Sequence, residues 1–173
     1  MTVNCEEWGQ GHKNDVVLLP TGEDLFFPHV DSCLAIIFIR LRPVERVVGG
    51  HAAVSSEKGA FGFTESLGEM LDRMREQAGG SPDIAVFIGD IAANDVNRWP
   101  VTAVLQSKAT HFANTQIIPF VYRVPLDVWY NGGTYTVKIA DWNANHDGAV
   151  LEEQPVYTAR RKSHAGACCC VIL

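Results

Sequence analysis

The sequence predicts a single α+β domain, a mixed β-sheet or sandwich packed with two or three helices. Short apolar runs rich in β-branched residues recur along the chain, which is typical of buried strands. Two segments of helical periodicity interrupt these runs without a strict strand–helix–strand order. Hydrophobic residues make up 47% of the 173 residues and charged residues 20%, as in a folded globular protein. We expect residues 1–15 to form a polar lead-in, 16–153 the domain and 154–173 a flexible tail.

The first strands follow from the apolar runs. Residues 16–19 form a short run that ends at Pro20-Thr21-Gly22. Residues 34–39 are apolar without alternation, which predicts a strand buried on both faces. Residues 47–54 resemble a second strand, in which a glycine pair, Gly49-Gly50, directly precedes His51.

The helices come next along the chain. Thr64 is a candidate cap for a helix over residues 66–77. The apolar residues of this segment recur at helical spacing, and they are Leu67, Met70, Leu71 and Met74. Gly79-Gly80 would end the helix. Residues 99–113 predict a second helix with Pro100 in its first turn.

The remaining strands lie between and after these helices. Residues 84–88 form an apolar strand that leads into Gly89-Asp90. Residues 117–122 predict an edge strand, because Pro119 cannot donate a ladder hydrogen bond. Residues 124–130 and 134–139 predict a hairpin around a glycine turn.

Charge and composition narrow the range of partners. The formal net charge is −6, and Lys/Arg residues do not cluster before Arg160-Arg161-Lys162, so nucleic acid is disfavoured. The first fifteen residues lack the apolar core of a secretory signal peptide. Neither body cysteine, Cys5 or Cys33, has the spacing of a zinc site, so we expect free thiols in a reducing compartment.

Cys33 and His51 are the candidate catalytic residues. Cys33 opens one predicted strand and His51 lies in the next, so neighbouring strands would bring both side chains to one end of a sheet. A nucleophilic cysteine needs such a partner, because the thiolate reacts and histidine can take the thiol proton. The adjacent glycines would let a substrate approach closely. In the alternative interpretation Cys33 is a small buried apolar residue and the domain is a non-catalytic binding module.

These motifs resemble a known group of enzymes. Asp31-Ser32-Cys33 followed by Gly49-Gly50-His51 resembles the chemotaxis glutamine deamidases of the CheD family, with their Gly-Ser-Cys and Gly-Gly-x-x-His segments. It is also similar to the catalytic domains of cytotoxic necrotizing factor toxins and of Burkholderia lethal factor. The later helix, the strand over residues 84–88 and the glycine hairpin follow in the order expected of CheD. The resemblance covers residues 18 to about 140.

The resemblance implies a thiol hydrolase that converts a glutamine of another protein into glutamate, with no metal or cofactor. Cys33 would be the nucleophile and His51 the base, and backbone N–H groups near Ser32 would hold the oxyanion. The third site element would be Thr21 or a backbone carbonyl near His29. A protein such as a small GTPase would be the substrate. Transglutamination, acyl transfer and proteolysis by the same pair remain alternatives.

The tail predicts a lipid anchor. Cys170-Val171-Ile172-Leu173 has the form of a prenylation box, and its final leucine favours a geranylgeranyl group. Cys168 and Cys169 are candidate palmitoylation sites, and the basic cluster before them could meet anionic lipid. Eukaryotic cells perform prenylation, whereas the body resembles bacterial deamidases and toxins. Together these features lead us to expect a bacterial effector or toxin that leaves its cell without a Sec-type signal. A host prenyltransferase would then attach it to the cytoplasmic face of host membranes.

Overall fold

Ten strands in two sheets and two helices make up the described part of the chain. The computed structural model describes residues 1–6, 15–31, 33–52, 59–90 and 101–158, and only the backbone of residues 59–66 and 101. The strands are β1 (Thr2–Asn4), β2 (Val16–Leu19), β3 (Asp24–Val30), β4 (Leu34–Arg40), β5 (Arg46–Ala52), β6 (Ile84–Gly89), β7 (Gln116–Val121), β8 (Leu126–Asn131), β9 (Thr136–Asp141) and β10 (Val150–Pro155). The helices are α1 (Gly59–Ala78) and α2 (Val101–Ser107). The predicted α+β class is confirmed.

The two sheets form a sandwich. The first sheet has the order β1-β3-β8-β9-β10 and the second the order β2-β5-β4-β6-β7. Apolar side chains of both sheets meet in one core, among them Leu25, Val128, Ile37 and Val86. Alternate residues of β4, such as Ile36 and Phe38, face away from this core and pack in a second one. This is why the run over residues 34–39 is apolar without alternation.

Helix α1 covers the outer face of the second sheet. The predicted stripe of Leu67, Met70, Leu71 and Met74 is confirmed, since all four side chains are buried in the second core. The predicted cap at Thr64 is wrong, because the helix already begins at Gly59. No helix in the described residues has the length and apolar character needed to cross a bilayer.

Several predicted boundaries are corrected by the structure. The second helix is shorter than residues 99–113, because a separate 3-10 turn at Ala109–Phe112 follows it. The predicted lead-in contains β1, which pairs in parallel with β3. The predicted tail begins too early, because β10 extends to Pro155 and Val156 is buried. The proline-containing edge strand and the hairpin are confirmed as β7 and as β8 with β9.

Some predictions fall on residues that the structure leaves undescribed. These are the oxyanion role of Ser32 and the lipidation of Cys168, Cys169 and Cys170. The basic cluster at residues 160–162 also lies outside the described ranges. They stay predictions from the sequence.

Candidate functional site

Cys33 and His51 lie on neighbouring strands. Strands β4 and β5 are antiparallel, with Ala35 directly opposite His51. Cys33 comes immediately before β4, and His51 is the penultimate residue of β5. Because antiparallel strands run in opposite directions, the start of β4 and the end of β5 lie at the same edge of the sheet. We refer to this edge as the Cys33 end of the sandwich.

The two side chains also share a face. Cys33 packs in the core between the sheets together with Ala35, two residues further along β4. The His51 ring contacts the Phe27 ring of the first sheet edge-to-face, with centroids 6.0 Å apart and planes at 77°. Both side chains therefore point between the sheets. Diagonal cross-strand neighbours on one face lie roughly 7–8 Å apart, within reach of the longer side chain.

A backbone carbonyl orients the His51 imidazole. His51 Nδ1 lies 3.1 Å from the carbonyl oxygen of Cys5, and the His51 backbone N–H donates to the Asp15 carbonyl at 2.9 Å. A carbonyl can only accept, so Nδ1 carries the proton in this contact. In the neutral ring, Nε2 is then the nitrogen that can take a proton.

Cys5 is the site residue that the sequence analysis missed. It follows β1, its N–H donates to the Phe26 carbonyl at 2.8 Å, and its thiol is free and buried. Burial, reinforced by the negative charges of Asp15 and Glu6, raises the pKa of the Cys5 thiol well above its ordinary value. A buried thiol that holds its proton is a poor nucleophile, and Cys5 contributes its carbonyl to the contact with His51. No sequence motif signals such a contact, because any residue type carries a carbonyl.

An ion pair fixes the segment that supports His51. The Asp15 side chain is nearly fully buried, and its carboxylate accepts from Arg73 Nη2 at 2.5 Å. The carbonyl of the same residue receives the His51 N–H and, at 3.5 Å, the Cys5 thiol. Asp15 thus links helix α1 to Cys5 and His51, the two residues that are in contact at His51 Nδ1.

The glycine pair before His51 has a packing role, which corrects the expectation that it admits a substrate. A Cβ on Gly49 would overlap the Leu25 side chain of the first sheet. A Cβ on Gly50 would lie 2.5 Å from Met74 Sδ of helix α1. The two glycines therefore let the first sheet and the helix approach opposite faces of β5.

A third glycine lies beside Cys33. Gly89 ends β6, pairs with Leu34, and has a φ of 144°, a conformation that favours glycine. A Cβ at this position would lie 2.5 Å from the Cys33 carbonyl oxygen. The end of β6, and with it Asp90, therefore reaches the Cys33 end of the sandwich.

The structure does not bring Thr21 to the pair. Thr21 is exposed in the turn after β2, and Leu19 of that strand pairs with Val47 at the opposite end of β5 from His51. The His29 carbonyl accepts the Asp31 N–H at 3.0 Å. The carbonyl that contacts His51 Nδ1 is that of Cys5.

The pair is deeply placed. Only 4% of Cys33 and 1% of His51 is exposed. Only a slender chemical group of a substrate could therefore reach the Cys33 thiol. Within the described residues, no three His, Cys, Asp or Glu side chains are arranged to hold a metal ion.

Comparison with known proteins assigns the chain to no family. No protein-family model matches the sequence, and no curated protein matches it. What the chain does is therefore inferred from the chemistry of its own residues.

Proposed function

We propose that this chain is a protein-glutamine deamidase in which Cys33 is the nucleophile and His51 the general base. One observation carries the proposal: Cys33 and His51 share a face at one end of two paired strands. The Cys5 carbonyl, 3.1 Å from His51 Nδ1, supports the ring tautomer that can accept the thiol proton.

The reaction follows from these roles. His51 Nε2 takes the proton of Cys33, and the thiolate attacks the carbon of a glutamine carboxamide. The resemblance to CheD predicts that backbone N–H groups near Ser32 and Cys33 stabilise the tetrahedral oxyanion, and Ser32 lies outside the described residues. The C–N bond breaks as His51 returns the proton to the leaving nitrogen, which departs as ammonia. Water then hydrolyses the thioester, giving glutamate and the free thiol.

Burial supports a side-chain amide as the substrate. A glutamine side chain is slender and can enter a narrow opening alone. A scissile backbone amide carries chain on both sides and needs an open cleft. With 4% of Cys33 exposed, deamidation or transfer from a glutamine side chain fits better than proteolysis.

The sequence suggests the kind of target. Deamidation replaces a neutral amide with a carboxylate, which would disable a glutamine that positions the attacking water in a GTPase. A lipid on Cys170, with Cys168 and Cys169 beside it, would hold the enzyme near such membrane-bound proteins. This part of the proposal depends on the sequence alone.

The same burial favours a second candidate, a binding module without catalytic activity. In that case Cys33 and His51 are core residues, and the Cys5 contact only satisfies a buried imidazole. The two candidates differ in whether the thiol reacts in the folded protein.

Turnover of glutamine peptides tests the proposal. The purified chain would be incubated with a mixture of glutamine-containing peptides, and amide-to-acid conversion would be followed by mass spectrometry. We expect conversion by the wild type, loss of activity in Cys33→Ala, and a fall of about 10²–10⁴-fold in His51→Gln.

Thr21→Ala is the control, because Thr21 is exposed in the turn after β2, at the opposite end of β5 from His51. It should retain activity. Conversion that persists in Cys33→Ala would exclude Cys33 as the nucleophile. Cleaved peptides in place of deamidated ones would identify a protease.

A further inference from the structure

A set of exposed apolar side chains gathers at the Cys33 end of the sandwich. We call it the apolar rim, and its members are Val121, Val124, Trp142, Val150 and Leu151. They are between 37% and 55% exposed. Scattered exposed apolar residues are ordinary on a protein surface, whereas a contiguous group indicates an interaction site.

A side-chain hydrogen bond joins the two sheets at this rim. The Tyr122 hydroxyl, beside Val121, donates to the Glu152 carboxylate at 2.5 Å, and Glu152 follows Leu151. Within the first sheet, the Trp142 backbone N–H donates at 2.9 Å to the carbonyl of Pro125, the residue after Val124. The rim is therefore one surface, shared by both sheets.

Strand register places the rim beside Cys33. Val121 pairs with Gly89, and Gly89 pairs with Leu34, the residue after Cys33. In the first sheet, Leu126 pairs with both Asp141 and Val30, and the chain runs from Val30 directly towards Cys33. Val121 is thus two strands from Leu34 in the second sheet, and the rim lies at the same end of the sandwich as the thiol.

Local contacts hold parts of the rim in place. The Trp142 ring packs against the His29 ring with centroids 4.4 Å apart. Burial and the neighbouring Glu152 raise the pKa of Tyr122 to about 12, so its hydroxyl keeps its proton at neutral pH. A preordered surface loses little conformational freedom when a partner binds.

The charged groups at this end are mostly acidic. The carboxylates that follow the strand ends or adjoin the rim are Asp31, Asp90, Asp141, Asp147 and Glu152. The formal cations in the described residues of this end are Arg123 and Arg73, and Arg73 is paired with Asp15. Two histidines also lie here, and His146 contacts the buried Asp127 at 2.9 Å. The rim therefore attracts basic groups and disfavours anionic lipid surfaces.

From this combination we infer that the apolar rim docks a protein segment in which Lys or Arg side chains alternate with large apolar ones. The apolar side chains would cover the rim, and the basic ones would meet its carboxylates. The inference deepens the proposed function, because a segment bound here presents its glutamine to Cys33. It predicts glutamines in basic, apolar surroundings as the preferred substrates.

Peptide binding tests the inference without requiring turnover. Two fluorescent peptides would share a central glutamine and flanking leucines, with arginines in one and glutamates in the other. Binding to the full chain carrying Cys33→Ala would be followed by anisotropy at low and high salt. We expect the arginine peptide to bind at least about tenfold more tightly, with the difference shrinking at high salt.

Two variants on one strand locate the binding surface. Val121→Lys adds a cation to the rim, whereas Ile117→Lys makes the same change four residues away, at the other end of β7. The two positions are 52% and 46% exposed, so the substitutions are matched. We expect Val121→Lys to weaken arginine-peptide binding by at least about tenfold and Ile117→Lys to leave it within about twofold.

The outcomes separate this inference from the proposed function. Binding that depends on Val121, with no glutamine converted by the wild type, would keep the docking surface and refute the deamidase. Glutamine conversion that depends neither on the charge of the flanking residues nor on Val121→Lys would keep the deamidase and refute the docking surface. Equal binding of the two peptides, or no binding, would overturn the docking surface. So would dimerisation of the free chain that Val121→Lys abolishes, since a second copy would then cover the rim.

Discussion

At the scale of single residues, the proposed chemistry depends on which atom of each residue faces His51. The placement of Cys33 and His51 at one end of neighbouring strands could be predicted from the sequence, because each opens or ends an apolar run. The Cys5 contact could not be predicted, because it comes from a backbone carbonyl 46 positions away in sequence. The Thr21 prediction was wrong for a related reason: closeness in sequence to Cys33 does not determine which end of the sheet a turn occupies.

Asp127 provides a stability test at this scale. Its carboxylate is fully buried and accepts from the His29 N–H at 3.1 Å and His146 Nδ1 at 2.9 Å. Asp127→Ala would leave the His29 N–H without this acceptor, so we expect a loss of about 1–3 kcal/mol in the free energy of unfolding. Urea denaturation would measure it.

The matched control is Asp147→Ala. Asp147 is exposed, and its carboxylate accepts from the Asn143 side-chain amide at 2.9 Å. We expect its removal to change stability by less than about 0.5 kcal/mol. Equal losses in the two variants would show that the buried carboxylate has no special structural role.

At the scale of elements, periodicity predicted the elements that bury a complete face. Helix α1 and strands β4 and β6 were predicted because their side chains fill a core on one or both sides. Strand β3 escaped detection because Pro28 interrupts it, and β10 because its side chains are largely exposed. The roles of Gly49 and Gly50 depend on Leu25 and on helix α1, which no local pattern reveals.

Two glycine substitutions test this interpretation. A Cβ at Gly50 would meet Met74 Sδ at 2.5 Å, so we expect Gly50→Ala to destabilise the fold by about 1–3 kcal/mol. A Cβ at Gly68, inside α1, would lie 3.6 Å from Lys108 Cε, an ordinary contact. Gly68→Ala should therefore stabilise by about 0.5–1 kcal/mol. Thermal and urea unfolding would show whether the two substitutions change stability in opposite directions. A Gly50→Ala variant as stable as the wild type would contradict the packing role.

At the scale of the whole molecule, the sandwich brings strand ends from both sheets to one edge. The α+β class could be predicted from composition and patterning. The sheet order could not, because it depends on long-range pairing such as β1 with β3 and β6 with β7. That pairing places the Cys5 carbonyl against His51 and the apolar rim at the Cys33 end of the sandwich.

The predicted lipid anchor has its own test. Wild type and Cys170→Ser would be expressed in human cells, and their membrane and soluble fractions would be compared. We expect Cys170→Ser to shift the protein into the soluble fraction. Cys5→Ser serves as a control for a cysteine outside the tail. Unchanged membrane association of Cys170→Ser would refute prenylation at this site.

The reactivity of Cys33 in the folded protein distinguishes a catalytic centre from a packed core. Iodoacetamide would be added at pH 7, and modification of Cys33 and Cys5 would be followed separately by peptide mass spectrometry. We expect Cys33 to react at least about tenfold faster than Cys5, and His51→Gln to slow only Cys33. If Cys33 reacts as slowly as Cys5, or reacts equally fast without His51, the pair is not a catalytic centre.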